Sequence, residues 1–217
     1  MEKQSFLVIG MGRFGRSTAK TLAENGYEVL AIDRAEDRID LVKEVVLRAV
    51  IADATEEKTL SQVGVQDFDA VVICIGKDLR ASVLTTIICK EQGAKRIIAK
   101  AQDDLHAKLL LKTGADEVAQ PEHDAGVRLA RALFSDTIVD SMDLTEDYSV
   151  NEIRVPQSWV GKTVPALSTR ARYGVSVIAR MRDGVMQVSN DPQDKLRADD
   201  TLFVVGDNAH LQRLTHL

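Results

Sequence analysis

FLVIGMGRFG, the stretch at residues 6–15, decides the fold of this chain. A short apolar strand runs into three glycines at G-x-G-x-x-G spacing: Gly10, Gly12 and Gly15. The first glycine allows a tight turn, the second lets the backbone approach a diphosphate, and the third lets the following helix pack closely on the strand. The free N–H groups at the start of that helix then face phosphate oxygens.

An acidic residue strengthens this interpretation. The second predicted strand, at residues 28–32, ends at Asp33. That carboxylate follows the glycines by about 20 residues, where dinucleotide-binding folds place the acid that binds ribose hydroxyls. The alternative is a glycine turn in some other α/β protein, followed by an acid that lies there by accident.

The composition is that of an ordinary soluble protein. The chain has 217 residues, 45% of them hydrophobic and 28% charged, which suits one large domain or two small ones. A net charge of −5 gives no electrostatic support for a nucleic-acid partner. We find no signal peptide and no apolar stretch near the roughly 20 residues that span a bilayer. We therefore expect a cytoplasmic protein that reaches a membrane only through a partner.

The cysteines and histidines show no metal-binding pattern. Cys74 and Cys89 lie in apolar segments without a C-x-x-C motif, which indicates free, buried thiols in a reducing cytosol. The four histidines lack metal-ligand spacing, and surface or capping roles are expected for most of them.

Strand-like and helix-like segments alternate up to residue 122, which predicts a parallel sheet with helices on both faces. The predicted strands lie at residues 6–9, 28–32, 49–52, 70–75, 96–100 and 117–120. The predicted helices lie at residues 14–24, 36–46, 79–91 and 105–113. Six strands in this order match a doubly wound Rossmann sheet, which we assign to residues 1–122.

A further amphipathic helix and a linker follow. Residues 124–134 place four apolar side chains on one side, where they pack on their own sheet or on another subunit: Val127, Ala130, Leu133 and Phe134. The polar, acidic residues 135–147 are interpreted as a linker or crossover. We assign residues 123–143 to this crossover helix and linker.

A small α+β domain is predicted over residues 144–217. Its strands are expected at residues 149–155, 175–182, 185–189 and 201–205, and its helices at residues 164–173 and 208–216. Asp183-Gly184 suits a tight hairpin turn with positive φ. Because roughly 70 residues is close to the lower size limit for an independent core, we expect this domain to dimerise.

The candidate site residues follow the predicted strands, because ligands of doubly wound sheets bind beyond the strands' carboxyl ends. After the first strand, the glycine loop contains Met11, Arg13 and Phe14. A guanidinium at Arg13 would reach phosphate oxygens and favour a ligand with more terminal charge than a dinucleotide. The alternative is a solvated arginine.

The second and third strands end in further polar candidates. Asp33 and Arg34 would contact ribose and phosphate. Asp53 and Ala54 follow the third strand, where a carboxylate could accept a hydrogen bond from an adenine amino group. Asp53 could instead begin the next helix.

The residues after the fourth and sixth strands include a glycine that lets a ligand approach the backbone and a carboxylate that could bind a cation. Ile75, Gly76 and Lys77 follow the fourth strand, and the glycine allows a ligand near the backbone. Glu122 follows the sixth strand and could reach a Mg²⁺ or Ca²⁺ ion on phosphates. The alternative is a carboxylate that favours the start of the next helix.

The fifth strand ends in a basic residue. Lys100, Ala101 and Gln102 come first, and His106 lies on the following helix. Lys100 is the strongest candidate of these, because a basic group at a strand's carboxyl end points at the cleft. His106 is interpreted equally well as a helix-surface residue.

The chain lacks the signature of an enzyme. After residue 148 there is no set of His, Cys or paired carboxylates that resembles a positioned acid or base. The P-loop motif is also missing. Nucleotide binding without a catalyst indicates a sensor.

The whole chain resembles the cytosolic RCK (KTN) subunits of Ktr and Trk potassium-uptake channels, and the Ktr type most of all. The segments that carry the resemblance keep their order and spacing: residues 10–15, Asp33, residues 53–57, Ala101-Gln102, residues 114–116 and Pro121-Glu122. The resemblance implies dimers that assemble into an octameric ring beneath a membrane potassium-channel subunit. ATP then activates the channel and ADP inactivates it.

The same resemblance implies roles for single residues and further ligands. It implies Arg13 on the terminal phosphate, Asp33 on the ribose and Asp53 beside the adenine. It also implies Glu122 on a divalent cation between neighbouring nucleotides. NAD(H) binds some Trk-type members, and cyclic di-AMP binds some Gram-positive members at the C-terminal dimer interface, so both are candidate ligands.

Two other function classes compete with the channel regulator. One is an NAD(H)-binding oxidoreductase, which would turn over a nicotinamide cofactor. The other is a stand-alone redox- or nucleotide-sensing regulator such as a transcription factor. The latter needs a basic DNA-binding helix pair, which this acidic chain does not provide.

Overall fold

The computed structural model describes residues 4–133, 137–145, 147–188 and 191–214. The chain divides into two units, Met1–His123 and Asp124–Leu217. Of the residues in the predicted helices and strands, Phe134, Ser189, Thr215 and His216 lie outside the described residues. None of the helices in the described part is long and apolar enough to cross a membrane.

The first unit contains a six-stranded parallel sheet in the order β3-β2-β1-β4-β5-β6. Its strands are β1 (Ser5–Ile9), β2 (Glu28–Asp33), β3 (Arg48–Ile51), β4 (Ala70–Ile73), β5 (Ile97–Lys100) and β6 (Glu117–Ala119). Its helices are α1 (Arg13–Glu24), α2 (Glu36–Ile39), α3 (Glu57–Val63), α4 (Leu79–Glu91), α5 (Asp104–Thr113) and the start of α6 (Pro121–Leu133). The predicted doubly wound sheet is confirmed.

Alternate residues of the central strands supply two separate cores, because successive side chains of a strand point to opposite faces. Leu7 and Ile9 pack with Leu110 of α5 on one face, and Val8 packs with Ala19 of α1 on the other. Burial on both faces explains why these strands appear in the sequence as nearly continuous apolar runs.

Two helical predictions in the first unit need correction. The helix predicted at residues 36–46 ends at Ile39, and turns follow it. Val42 and Val46 keep helical spacing and are buried, but β-branched residues favour a helix weakly. Helix α3 is not among the predicted helices. It ends at Gly64, which has a left-handed backbone conformation with φ 75°.

The second unit contains a five-stranded sheet in the order β10-β9-β11-β8-β7, and its paired strands run antiparallel. Its strands are β7 (Ile138–Asp143), β8 (Tyr148–Arg154), β9 (Val175–Arg182), β10 (Val185–Gln187) and β11 (Thr201–Asp207). Its shorter helices are α7 (Val164–Leu167), α8 (Thr169–Tyr173) and α9 (Asn208–Arg213). A core around the fully buried Trp159 joins helices and sheet, so the predicted α+β fold is confirmed.

Three features of the second half differ from the sequence prediction. Strand β7 lies in the segment interpreted as a linker. The helix predicted at residues 164–173 is two helices, separated by Ser168 with φ 48°. Helix α6 begins earlier than predicted, at Pro121, a residue that suits the first helical position because it needs no N–H acceptor there. The predicted hairpin turn has positive φ at both Asp183 and Gly184.

Candidate functional site

A cavity of about 360 Å³ lies beyond the carboxyl ends of the strands in the first unit. This volume is within the range of small-molecule sites. The predicted site residues that line it are Gly10, Gly12, Arg13, Phe14, Asp33, Arg34, Asp53, Ala54, Ile75, Gly76, Lys77, Lys100, Gln102 and Glu122. The structure therefore brings the carboxyl ends of β1 to β5 and the first turn of α6, which follows β6, to one cleft.

The glycine loop is held by very close backbone packing. Gly10 has φ 95°, and its backbone N–H donates to the carbonyl of Ile32 at 2.7 Å. A Cβ atom at Gly15 would lie 1.9 Å from the carbonyl oxygen of Gly10, which no side chain could tolerate. These contacts fix the start of α1 against β1, as the third glycine of the motif requires.

The start of α1 is open to a ligand. Gly12 is the N-cap residue and makes no side-chain cap, so the first-turn N–H groups have no acceptor within the helix. A Cβ atom at Gly12 would meet no atom within 4 Å. Arg13, the first helical residue, is exposed and lines the cleft. This end of the cleft has the donors and positive charge that bind phosphate.

Asp33 is buried, and its carboxylate accepts hydrogen bonds from the glycine loop and from the turn that follows β2. Its Oδ2 accepts from the N–H of Met11 at 2.6 Å, and its Oδ1 accepts from the N–H of Ala35 at 2.9 Å. The Nη1 atom of Arg38 lies 3.4 Å from Oδ2. The carboxylate thus orients the glycine loop as well as facing the cleft.

Asp53 is held as an ionised acceptor at the end of β3. Its Oδ1 accepts from the N–H of Thr55 at 2.9 Å and from the hydroxyl of Thr55 at 2.7 Å. These hydrogen bonds lower the pKa of Asp53, because they stabilise the carboxylate. The same contacts form a turn before α3, so Asp53 shapes the loop whatever it binds.

Lys100 and Glu122 form an ion pair across the cleft. The Nζ atom of Lys100 lies 2.5 Å from Oε1 of Glu122 and 5.9 Å from the centre of the Phe14 ring. The lysine side chain is 12% exposed and the glutamate side chain 68% exposed. The hydrogen bond from Lys100 lowers the pKa of Glu122, and the charge of Arg13 adds to the shift. Glu122 lies in the first turn of α6, where a carboxylate is also favoured by the helix.

Four residues named as candidates do not line the cleft. Met11 and Ala101 are buried, and their backbone N–H groups bind Asp33 and Ala119. Gly15 packs against Gly10. His106 does not line the cleft. It is not on the helix surface either, because it is 2% exposed and its ring packs against α4.

Other residues line the cleft without having been singled out. They are Ile9, Ile32, Arg38, Ala52, Thr55, Cys74, Asp78 and Ala81. Cys74 was missed because the fourth strand was predicted to continue to residue 75, whereas β4 ends at Ile73. Arg38 lies on α2, five residues after Asp33, and this closeness in the sequence was the available signal.

The thiols and carboxylates do not assemble a metal centre by themselves. In the part of the chain that the structure describes, no group of three or more His, Cys, Asp or Glu side chains is placed to hold a metal ion. Cys74 and Cys89 are free and buried, and burial raises the pKa of each thiol to about 12.

Two family models match this chain. The TrkA-N domain matches residues 6–121, which contain the whole cleft apart from Glu122. The TrkA-C domain matches residues 150–217.

Two known proteins resemble the chain over nearly its full length, and a third resembles part of it. Ktr system potassium uptake protein C of Bacillus subtilis (strain 168) is 39% identical over 211 residues, which are 97% of this chain and 96% of that protein. A structure described as the GsuK channel bound to NAD aligns with the whole of this chain and with 39% of the GsuK chain. The TM-score is 0.71 at 18% identity, which shows a shared fold. The Kef C-terminal domain of Shewanella denitrificans in its AMP-bound form is 26% identical over 60% of this chain and 80% of its own, with a TM-score of 0.52.

Proposed function

The chain belongs to the RCK family, whose members combine a TrkA-N and a TrkA-C domain, and on this premise we propose the function of its cleft. It is a regulatory subunit of Ktr-type potassium uptake and not an enzyme. The proposal is that the cleft senses adenine nucleotides, that ATP activates the channel, and that ADP inactivates it.

The phosphate end of the cleft is the observation that carries this proposal. The uncapped start of α1, the open Gly12 and the exposed Arg13 lie together. Among the described residues, Arg13 and Lys77 form no ion pair, so their charges are available to a ligand. A terminal phosphate carries more charge than the linked diphosphate of NAD, so these cations favour ATP and ADP.

The other end of the cleft suits an adenosine. Asp33 lies where ribose hydroxyls bind in this fold, and Asp53 is an ionised acceptor near the expected adenine. The AMP-bound Kef domain supports an adenine nucleotide, whereas the NAD-bound GsuK structure keeps NAD(H) as the alternative ligand.

A divalent cation would extend the site beyond Glu122. One carboxylate does not make a cation site, and Oε1 of Glu122 is already paired with Lys100. Phosphate oxygens of ATP, and a second subunit's nucleotide, would have to complete the oxygen ligands that Mg²⁺ or Ca²⁺ requires. The cation would supply charge neutralisation that Arg13 alone does not provide.

The proposal extends to assembly and place in the cell. Dimers would form an octameric ring on a membrane potassium-channel subunit, at the inner face of the cell membrane. Leu129 and Leu133 are exposed and lie one helical turn apart on α6. Exposed apolar side chains that adjoin each other favour an interface, which supports burial of this helix between subunits. Cyclic di-AMP is a second candidate ligand, at the dimer interface of the second domain.

The nucleotide content and the oligomer size of the purified protein test the proposal together. We expect a large ring that retains ADP or ATP. A dimer that retains NAD(H) would overturn it and favour the NAD(H)-binding alternative.

The cation is tested by titrating ATP with and without Mg²⁺ or Ca²⁺. We expect the metal to tighten ATP binding, ATP to tighten metal binding by the same factor, and ADP to show little coupling. Glu122→Gln should abolish the metal effect and leave ADP affinity nearly unchanged. Glu117→Gln is the matched control, because Glu117 pairs with Arg96 and does not line the cleft. If ATP binding by the Glu122→Gln protein still depended fully on the metal, the proposed cation site at Glu122 would be wrong.

A further inference from the structure

The ring of His106 is buried between α4 and α5. The residue lies on the first turn of α5 and is 2% exposed, and its backbone N–H donates to the N-cap carboxylate of Asp103 at 2.8 Å. No ligand reaches the ring, because it does not line the cavity. Its contacts nevertheless connect two elements that do.

The hydrogen bonds define which ring nitrogen carries the proton. The backbone N–H of Gln102 donates to Nδ1 of His106 at 3.3 Å, and a backbone N–H is only a donor. Nδ1 is therefore unprotonated, and the proton of the neutral ring is on Nε2. That N–H points at the hydroxyl oxygen of Ser82 at 3.2 Å.

One partner of the ring lines the cleft, and the other directly follows a residue that does. Gln102 lies in the turn after β5 and lines the cavity next to Lys100. Ser82 is fully buried on α4 and directly follows Ala81, which also lines the cavity. The neutral ring thus joins the turn after β5 to the start of α4.

We propose that His106 is a positioning residue, which holds the turn after β5 in its ligand-binding conformation and releases it when the ring is protonated. A proton on Nδ1 would face the N–H of Gln102, so two donors would oppose each other and the bond would be lost. This inference rests on the proposed function, since it assumes that a nucleotide occupies the cleft.

The surroundings keep the ring neutral near physiological pH. Burial lowers the pKa of His106, and the opposing field of Asp103 is smaller. The polar side chains buried on α4 are the hydroxyls of Ser82, Thr85 and Thr86 and the thiol of Cys89, which is neutral because burial raises its pKa to about 12. A ligand that needs the neutral ring lowers the pKa of His106 further by linkage, so acidification weakens binding.

Two variants separate positioning from packing. His106→Asn keeps a neutral acceptor near the position of Nδ1 and cannot be protonated at acidic pH. His106→Leu keeps an apolar volume and removes the acceptor. His210→Asn is the control histidine, since His210 lies in the second unit and pairs with Asp207.

The measurement is the affinity for ADP at about pH 7.5 and at about pH 5.5, the range in which histidines change charge. Each variant is compared with the unmodified protein at the same pH, so that titration of the phosphate cancels. We expect the unmodified protein to lose affinity relative to His106→Asn by about two- to tenfold on acidification, the equivalent of one hydrogen bond. His106→Leu should bind more weakly at neutral pH.

Nitrogen chemical shifts of the unliganded protein give a second readout, even if His106→Leu does not fold. We expect the Nε2-protonated ring, titrating below an ordinary histidine. An Nδ1-protonated ring, or an affinity ratio that does not change with pH, would overturn the positioning role. Failure of the unmodified protein to bind any nucleotide would instead overturn the proposed function of the cleft and the coupling with it.

Discussion

The two units of the chain use cationic side chains in opposite ways. In the second unit, Arg182 is 9% exposed, and its guanidinium group forms ion pairs with Asp200 at 2.6 Å and with Asp194 at 3.0 Å. In the first unit, Arg13 and Arg34 line the cleft and form no ion pair with any described residue. Paired cations stabilise a fold, whereas unpaired cations beside a cavity are available to an anionic ligand.

Lys100 lies between these extremes. It is nearly buried, like Arg182 of the second unit, but its partner Glu122 is exposed. The comparison therefore predicts that substitutions in the second unit change stability, and that substitutions in the cleft change binding.

The largest expected effect is on the stability of the second unit. Asp200 accepts from Nε and Nη2 of Arg182, both at 2.6 Å, and its side chain is fully buried. Asp200→Ala should lower the free energy of unfolding by about 3 kcal/mol, because it leaves a buried guanidinium without its main partner. Denaturant titration measures this. Asp199→Ala, at an exposed neighbouring side chain with ordinary backbone geometry, is the control and should change stability by less than about 0.5 kcal/mol. A loss below about 1 kcal/mol for Asp200→Ala would show that the pair is not structural.

The next effect is on binding at the cleft. Arg13→Ala should weaken ATP binding by about 2 kcal/mol, the value of a charge-assisted hydrogen bond, and should leave the unfolding free energy nearly unchanged. Calorimetric titration and thermal denaturation measure the two quantities. Lys20→Ala on the same helix is the charge-matched control, because Lys20 does not line the cleft. Equal losses for both variants would mean that Arg13 acts only through net charge.

A smaller effect is expected from acid. Burial raises the pKa of Asp200, but hydrogen bonds from Arg182 and from the N–H of Arg197 outweigh it and lower the pKa overall. Hydrogen bonds from Arg180 and Arg182 also lower the pKa of Asp194. The folded state then binds fewer protons than the unfolded state, so this stability is present above about pH 4 and is lost as the pH falls through the lowered values. Unfolding of the second unit, followed by Trp159 fluorescence, should become easier in that window. A stability independent of pH there would contradict the pairing.

The smallest effect is expected for the ion pair of the cleft. Glu122→Gln should change the unfolding free energy by no more than about 0.5 kcal/mol, since its carboxylate is exposed and such pairs contribute little. Thermal denaturation of the protein without nucleotide measures this. A loss as large as that of Asp200→Ala would place Glu122 with the structural pairs and remove the distinction between the two units.

The strand ends were predictable because their signals are local. The glycine spacing, the acid at Asp33 and the apolar run before Gly76 each depend on a few neighbouring residues, and the structure brings these positions to one cleft. Backbone geometry imposes these residue types directly, as the 1.9 Å approach at Gly15 demonstrates.

The features that were missed depend on distant contacts. Strand β7 has acidic residues at positions 140 and 143, so it appeared as a linker, and only its pairing with β8 reveals a strand. The ring of His106 is buried because Ser82, 24 residues earlier, provides a partner on α4. No local pattern contains that information.

The central claim is that the cleft selects nucleotides by their terminal phosphates. Calorimetric titration of the unmodified protein with ATP, ADP and NAD⁺ tests it most directly. The account predicts that ATP and ADP bind more tightly than NAD⁺, because Arg13 and the open start of α1 face the phosphate end. NAD⁺ binding as tight as that of ADP, or tighter, would contradict it.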